Sequence, residues 1–381
     1  MDYIVSLVIV FGIYFYQRDD LIYRISFGKI KINKNFFDFL FLMHFILYVV
    51  YSLYTVENRS DSGEYYSKAY LSNDWLSLYT SGTFFIVFLA YPFVNILNFS
   101  YESLMLVFSF LGFEGLVFFY LAARENIYNL PLKIWGFSAL ELLFLLPNCH
   151  FWSSSLGKGS VMTFSLGLLF FGLSRFQKRI FPLLLGTYLV YMIRVHIVLA
   201  ILMGVGIGSL FSFGKLKWYF KILIISASIW GIGFVMDDVL AVSGTETINI
   251  LDDNANVNRR ASELGKSNTG IDISNYNQAM KLFTFIFRPL FFDAPNFMGI
   301  ITSVEDVIYI FLAIQIILIG LVHIYRWNGF FIIGFFSFLI ASLALAQVSG
   351  NLGIALRQKA QIMPLFFMVY CKVASLKYNK L

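Results

Sequence analysis

Two carboxylates, Asp61 and Glu64, stand three residues apart in a polar stretch between two apolar segments. On a helix, this spacing places both side chains on one side. A carboxylate in such a place can act as a general base or bind a metal ion. The same pattern also fits a solvated loop that leads into a helix capped by Ser62 or Asp61, with acids near the positive end of the helix.

Cations occupy unusual places in two further segments. Lys158 follows Trp152 in a short turn rich in glycine and serine, where backbone and side-chain donors can meet an anionic group. Arg194 and His196 lie within a long apolar stretch, where a charge costs at least ~2.5–3.5 kcal/mol at the centre of a membrane. Two short helices that meet at a break would place both side chains in a cavity. The alternatives are a snorkelling Lys158, an interfacial Trp152 and an Arg194 that caps a helix end.

Polar residues also interrupt the last apolar segments of the chain. Arg288 precedes a proline and is followed by Asp293 and Glu305, which indicates a backbone that dips towards the membrane and stops. Arg357 and Lys359 stand at the polar start of the last apolar segment. These cations either bind an anion or snorkel to the membrane surface.

The residue types in these segments share one chemistry. Arginine binds phosphate oxygens through parallel hydrogen bonds, and clustered cations stabilise the charge on a departing phosphate. A nearby carboxylate suits deprotonation of a sugar hydroxyl. The patterns predict a reaction on a lipid-carried phosphate substrate, with Asp61, Glu64, Arg194, His196 and Arg288 as the catalytic candidates. The candidates for substrate binding are Trp152, Lys158, Asp293, Glu305, Arg357 and Lys359.

Composition indicates which kind of fold must position these residues. Of the 381 residues, 59% are apolar, 19% aromatic and 13% charged, whereas an ordinary soluble domain is roughly 45–50% apolar and about 25% charged. These values exclude a water-soluble fold and predict an all-α polytopic helical bundle of about ten to twelve membrane spans. The net charge of +6 comes from basic runs between apolar segments, which is typical of membrane topology and not of nucleic-acid binding.

The basic runs predict how the spans are oriented. Loops such as 18–34 and 175–179 are expected in the cytoplasm, which leaves the candidate residues on the outer face. A consistent alternation requires that segment 83–97, which contains Pro92, is re-entrant or interfacial and does not cross. The predicted crossings are 1–16, 36–55, 104–122, 134–151, 161–174, 181–194, 196–213, 222–240, 305–323, 329–347 and 360–376.

The chain is predicted to form one integral membrane domain over residues 1–381. Residues 56–80 form its first outer loop, and residues 241–304 its largest outer region, with a re-entrant segment and a helix near 256–264. Glu114 and Glu141 are acids inside apolar segments, and each is either a protonated packing residue or the partner of a cation.

At these segments the sequence resembles the multi-pass glycosyltransferases of the GT-C type, and among them the Wzy-class polymerases of O-antigen and capsule repeat units. The points of resemblance are scattered over most of the chain. They are Asp61-Ser-Gly-Glu64-Tyr65, the Pro147…Trp152…Lys158 hairpin, Arg194-Val-His196, Phe287-Arg288-Pro289 and Gly350-Asn351…Arg357.

The resemblance implies an undecaprenyl-pyrophosphate-linked oligosaccharide as the donor and a second lipid-linked unit as the acceptor. It implies an inverting, nucleotide-independent transfer on the outer face of the bacterial cytoplasmic membrane. It also implies that Arg194, Arg288 and Arg357 hold the pyrophosphate, and that a chain-length regulator (co-polymerase) is a protein partner.

Two departures from the class leave alternatives open. Arg194 is followed by Gly204, whereas some members have a glycine at an eleven-residue offset. The acids Asp61 and Glu64 resemble GT-C enzymes that use a polyprenyl-phosphate sugar donor. Participation of a divalent cation stays open, and no metal site or other cofactor is predicted. A lipid-linked glycan transporter, or flippase, is the alternative of another class.

Overall fold

The computed structural model describes residues 2–26, 33–58, 60–127, 133–211, 217–243, 270–273, 275–294, 297–347 and 349–378. The described chain is mostly helical, with one short two-stranded antiparallel sheet. It divides into two compact units, Met1–Arg194 and Val195–Leu381, where the sequence predicts a single domain. The predicted helix near 256–264 and much of the region 241–304 lie outside the described residues.

The described elements of the first unit are helices joined by short connections. Its α-helices and strands are α1 (Asp2–Tyr16), α2 (Ile22–Ile25), α3 (Lys34–Glu57), α4 (Asp61–Leu71), α5 (Thr83–Tyr91), α6 (Tyr101–Asn126), β1 (Lys133–Ile134), β2 (Phe137–Ser138), α7 (Ala139–Phe144), α8 (Pro147–Ser153), α9 (Lys158–Ser174) and α10 (Ile180–Ile193). Two π-helical segments, Gln17–Leu21 and Pro92–Ile96, and a 3-10 turn, Leu76–Leu78, continue or connect them.

The second unit is helical throughout its described elements. These are α11 (Val195–Leu210), α12 (Trp218–Ser243), α13 (Gln278–Phe287), α14 (Phe297–Gln315), α15 (Gly329–Ala346) and α16 (Leu352–Tyr378). A π-helical segment, Ile316–Leu321, extends α14, and a 3-10 turn, Ile324–Arg326, precedes α15.

Several helices are long and apolar enough to cross a membrane. In the described ranges these are Lys34–Glu57, Tyr101–Asn126, Met298–Leu321 and Gly329–Ala346. The pair Pro147–Ser153 and Lys158–Ser174, bent by 114°, adds a fifth candidate if it forms one span. Each overlaps a predicted crossing, so the prediction of an all-α helical membrane protein is confirmed at this level.

Other predicted crossings are shorter or interrupted. Helices α10 and α11 have 14 and 16 residues, so they are about 21 and 24 Å long, less than the ~30 Å hydrocarbon core of a bilayer. The predicted crossing at 134–151 is not one helix, because the β1–β2 hairpin and the 6-residue α7 precede α8. The full count of ten to twelve spans therefore stays a prediction.

The backbones of α6 and α9 touch where they cross. A Cβ atom built on Gly115 would lie 2.4 Å from the backbone carbonyl of Thr163, and one on Gly167 would lie 2.2 Å from the carbonyl oxygen of Gly115. Side chains cannot occupy such gaps, so only glycine permits this crossing. Small residues allow the same close approach between helices in membrane bundles.

A buried ion cluster joins the other ends of these two helices. Glu125, in the last turn of α6, accepts a hydrogen bond of 2.6 Å from Nη2 of Arg179 and forms an ion pair of 2.8 Å with Nε of Arg175. Arg179 also donates to the Ile25 carbonyl at 2.8 Å, and its guanidinium lies 3.7 Å from the centre of the Phe171 ring. Two cations of the predicted basic loop 175–179 are thus bound by the protein itself.

Replacing Gly115 by alanine tests the contact between α6 and α9. Gly115→Ala should lower the free energy of unfolding by about 1–3 kcal/mol, because the new methyl group forces the two backbones apart. Thermal unfolding in detergent micelles measures the effect. Gly12→Ala on α1 is the matched control, since a Cβ atom there meets nothing within 4 Å. Equal unfolding temperatures for the two variants would contradict the proposed constraint.

Candidate functional site

Lys158 is the first residue of α9, after the sharp turn between α8 and α9. The N–H groups in the first turn of a helix have no partner within the helix, and Gly157 provides no side-chain cap. The uncapped N–H groups give this helix end a partial positive charge. The half-buried Lys158 adds a full positive charge at the same place. Such a combination favours an anionic ligand.

Asp61 opens α4, which lies inside the predicted outer loop 56–80. The N-cap of α4 is Ser60, and the prediction of Ser62 or Asp61 as the cap is wrong: the Ser62 N–H donates to Ser60 Oγ at 3.4 Å. Hydroxyl groups connect Tyr51 to Ser60 at 3.1 Å, Ser60 to Ser62 at 2.9 Å, and Ser62 to Tyr101 at 2.7 Å. These bonds tie the start of α4 to α3 and α6, so the backbone of Asp61 is held in place.

Glu64 has a different partner from Asp61, although the two lie on one helix. Its carboxylate accepts a hydrogen bond of 2.6 Å from Lys68, four residues later, and both side chains are exposed to a large degree. Pairs of this kind contribute little to stability in water.

Arg194 stands between two helices, as its position in the apolar stretch predicts. Helix α10 ends at Ile193 and α11 begins at Val195. The backbone of Arg194 is not helical, with φ −150° and ψ 87°, and its N–H donates to the Val190 carbonyl at 2.8 Å. The prediction of a helix break is confirmed, and the half-buried Arg194 closes the end of α10.

Asp61 and Arg194 both lie within electrostatic range of Lys158 in the first unit. Lys158 is repelled by the charge of Arg194 and attracted by that of Asp61. A polyanion such as a phosphate or pyrophosphate would relieve the repulsion between the two cations. A carboxylate next to that anion could take a proton from an attacking hydroxyl.

Aromatic residues pack against α10 close to Arg194. The Gly82 N–H donates to the Met192 carbonyl at 2.7 Å, and the hydroxyl groups of Tyr79 and Tyr188 are hydrogen-bonded to each other. This contact holds the segment before α5 beside the end of α10. The sequence patterns single out none of these residues, because aromatic side chains are frequent along the whole chain.

Lys359 in the second unit is fully buried, so it does not snorkel. Its Nζ donates to Asp306 Oδ1 at 2.6 Å, and to the carbonyl groups of Ile286 at 3.1 Å and Arg288 at 3.2 Å. Both side chains of the Lys359–Asp306 ion pair are 0% exposed. Lysine thus caps the C-terminal end of α13, where carbonyl groups lack helical partners.

The hydrogen-bond partners and the burial of the other candidates in the second unit could not be predicted from the sequence either. Arg288 Nε donates to Asp293, and Glu305 accepts a hydrogen bond of 2.5 Å from the Tyr309 hydroxyl. Arg357 is half-buried on α16, two residues before Lys359. The catalytic roles predicted for Arg288 and for His196, near the start of α11, stay predictions. So do the substrate-binding roles predicted for Asp293, Glu305 and Arg357.

Asp306 is a residue that the sequence patterns do not bring forward as a site candidate. Its signal is an acid inside an apolar segment, where an unpaired charge is costly. Asp306 Oδ1 binds Lys359, whereas its buried Oδ2 has no hydrogen-bond partner among the described residues.

Trp152, Glu114 and Glu141 pack against protein groups. The Trp152 ring lies 5.0 Å from that of Phe151 in an edge-on contact. Glu114 accepts a hydrogen bond of 2.6 Å from Gln17, and Glu141 forms the capping box of α7. Neither acid pairs with a cation in these contacts. The alternative that Glu114 and Glu141 are the partners of cations therefore gains no support.

Among the described residues, no group of three or more His, Cys, Asp or Glu side chains is arranged to hold a metal ion. No protein-family model, curated protein or solved structure matches the chain. The fold and the clusters of charge are therefore the basis for assigning a function.

Single substitutions test whether Asp306 and Lys359 form a structural pair. Asp306→Leu and Lys359→Met should each lower the free energy of unfolding by about 3–5 kcal/mol, because each leaves one charge buried without its partner. The double variant Asp306→Leu/Lys359→Met should recover most of that loss. Thermal unfolding of the four proteins in detergent measures this coupling, and additive losses would contradict it.

Proposed function

We propose that this chain is a glycosyltransferase that transfers a lipid-pyrophosphate-linked oligosaccharide onto a lipid-linked acceptor, as Wzy-class polymerases do. The grouping of Asp61, Lys158 and Arg194 carries the proposal. These residues come from three distant segments, and each is a candidate by residue type alone. Their association supplies the two cations and the carboxylate that this reaction requires.

The reaction assigns a role to each residue of the group. An acceptor hydroxyl attacks the anomeric carbon of the donor sugar, and the bond from that carbon to the pyrophosphate oxygen breaks. Asp61 takes the hydroxyl proton. Lys158, Arg194 and the first turn of α9 stabilise the negative charge that remains on the lipid pyrophosphate.

The membrane setting supports a lipid-linked substrate. The proposed location is the bacterial cytoplasmic membrane with the site on the outer face, which follows from the expectation that basic loops stay in the cytoplasm. If the basic residues Arg175, Lys178 and Arg179 after α9 stay in the cytoplasm, Lys158 at the start of α9 lies towards the outer face. The proposed site and the cytoplasmic basic residues would then lie at opposite ends of α9.

A transferase that uses a polyprenyl-phosphate sugar is the second candidate. The exposed Asp61 on a short outer helix favours it, because the acidic first loop resembles those simpler GT-C enzymes. The two candidates differ in product. Polymerisation yields a ladder of repeat units, whereas the transferase adds one sugar to each acceptor.

Substitution of the two cations tests the proposed site. Lys158→Ala and Arg194→Ala should each reduce product formation by roughly 100-fold or more, because charge on the leaving pyrophosphate loses a stabilising group. The assay uses purified protein in liposomes with a lipid-pyrophosphate-linked oligosaccharide, and product length is measured on gels. Lys178→Ala is the matched control, since Lys178 is exposed beyond the other end of α9.

Three outcomes would overturn the proposal. Normal chain length in both Lys158→Ala and Arg194→Ala would exclude the charge cluster as the site. Movement of labelled lipid-linked glycan across the liposome membrane without any covalent product would favour a transporter. A single-sugar product from a polyprenyl-phosphate donor would select the second candidate.

The two acids of α4 should respond differently to neutralisation. Asp61→Asn should abolish transfer, because the acceptor hydroxyl loses its base, whereas Glu64→Gln should retain most activity, because Glu64 pairs with Lys68. Initial rates in the same liposome assay compare the variants. Equal losses would show that both acids act, as the spacing in the sequence allows.

A further inference from the structure

A buried histidine pair in the first unit has no role in the proposed transfer. His44 on α3 and His150 on α8 are 3% and 0% exposed, and their Nδ1 atoms lie 3.0 Å apart. The ring planes are inclined by 64°, so the rings are not stacked. The short distance between two nitrogen atoms indicates a direct hydrogen bond.

The remaining ring nitrogens determine where the hydrogens lie. His44 Nε2 is 2.9 Å from the Ser109 carbonyl oxygen, and His150 Nε2 is 2.7 Å from the Phe144 carbonyl oxygen. A carbonyl oxygen can only accept a hydrogen bond. Both Nε2 atoms must therefore carry a hydrogen.

Two neutral rings cannot complete this arrangement. In a neutral imidazole only one of the two ring nitrogens carries a hydrogen, and the other nitrogen can only accept a hydrogen bond. With both hydrogens on Nε2, the lone pairs of the two Nδ1 atoms would face each other across 3.0 Å. One additional proton converts this repulsive contact into a hydrogen bond.

We propose that His44 and His150 form a binding site for one proton, shared between their Nδ1 atoms, so that the folded pair carries a single positive charge. The site does not depend on the proposed transfer reaction. It connects α3 to α8, the helix that leads into the turn before Lys158. Removal of the proton would break the hydrogen bond between the two rings, while the aromatic contacts of Tyr51 and Tyr54 with Phe151 would remain.

Hydrogen bonds to the protein offset part of the cost that burial imposes on the charge. Both carbonyl groups accept charge-assisted hydrogen bonds, which are stronger than neutral ones. The Phe113 ring packs beside that of His44 in a tilted arrangement, with 6.0 Å between the ring centres. Neither imidazole forms a hydrogen bond with a carboxylate in the described part of the chain.

Three acids on the neighbouring helices, Asp38, Glu114 and Glu141, have hydrogen-bond partners other than the two histidines. Tyr14 donates to Asp38, Glu114 accepts from Gln17, and Glu141 accepts from Ser138. Along the elements packed against the pair, the titratable side chains closest in sequence to its contacts are Tyr14 on α1, Tyr48 on α3, Glu114 on α6, Glu141 on α7, Cys149 on α8 and the cation Lys158 on α9.

Nuclear magnetic resonance can show which ring nitrogens of His44 and His150 carry a hydrogen at pH 7. The sample is the 381-residue chain in lipid nanodiscs, with 15N-labelled histidine. The expected result is hydrogen on both Nε2 atoms, a strongly downfield shared proton, and a scalar coupling between the two Nδ1 nitrogens through the hydrogen bond. That coupling identifies the pair without any variant. One hydrogen on each ring and no coupling would overturn the proposal.

The pH dependence of stability provides an independent measurement. Histidine in an unfolded chain loses its proton near pH 6.5, whereas the folded pair keeps one. Between pH 7 and 9 the folded state therefore binds more protons than the unfolded state, and stability must fall as the pH rises. The unfolding temperature of the wild-type protein should decrease over this range, and that of His44→Gln should decrease less.

Two further variants make the stability comparison decisive. His323→Gln is the control, because His323 donates to the Ile319 carbonyl and lies outside the pair, so its slope should equal that of the wild-type protein. His150→Gln replaces His44→Gln if the latter does not fold. A variant of the pair with the same slope as the wild-type protein would overturn the proposal.

Discussion

The contact between the backbones of α6 and α9 is the constraint on which the first unit depends. Gly115 and Gly167 leave no room for a side chain, so the two helices are fixed in register where they cross. One end of α9 then carries Lys158, and beyond the other end Arg179 binds Glu125 of α6. Displacement of α9 would therefore move the candidate site and strain the buried ion cluster together.

The degree of exposure separates two kinds of charge in this protein. Lys359 and Asp306 are fully buried and bind each other, as Glu125 and Arg179 do. A buried charge is tolerated only with a partner, and such pairs serve the fold more than a ligand. The charges of Asp61, Lys158 and Arg194 keep more contact with the surroundings. Their partial exposure leaves them accessible to a ligand.

Parts of the candidate site could be predicted because they follow from local patterns. A charge in a long apolar stretch predicts the helix break at Arg194, and glycine and serine around Lys158 predict a turn. The different partners of Asp61 and Glu64 could not be predicted, since spacing on a helix treats the two acids alike. The burial of Lys359 was equally hidden, because its partner Asp306 lies 53 residues away.

The sequence by itself determined the all-α membrane class and the residue types available for chemistry, because composition and apolar segment length are sums over neighbouring residues. Only the tertiary structure decided which of these residues meet. His44 and His150 are separated by 106 residues, yet their rings share a hydrogen bond. Such contacts depend on which helices become neighbours. Packing between segments that are distant in the sequence decides this, and local sequence patterns do not contain that information.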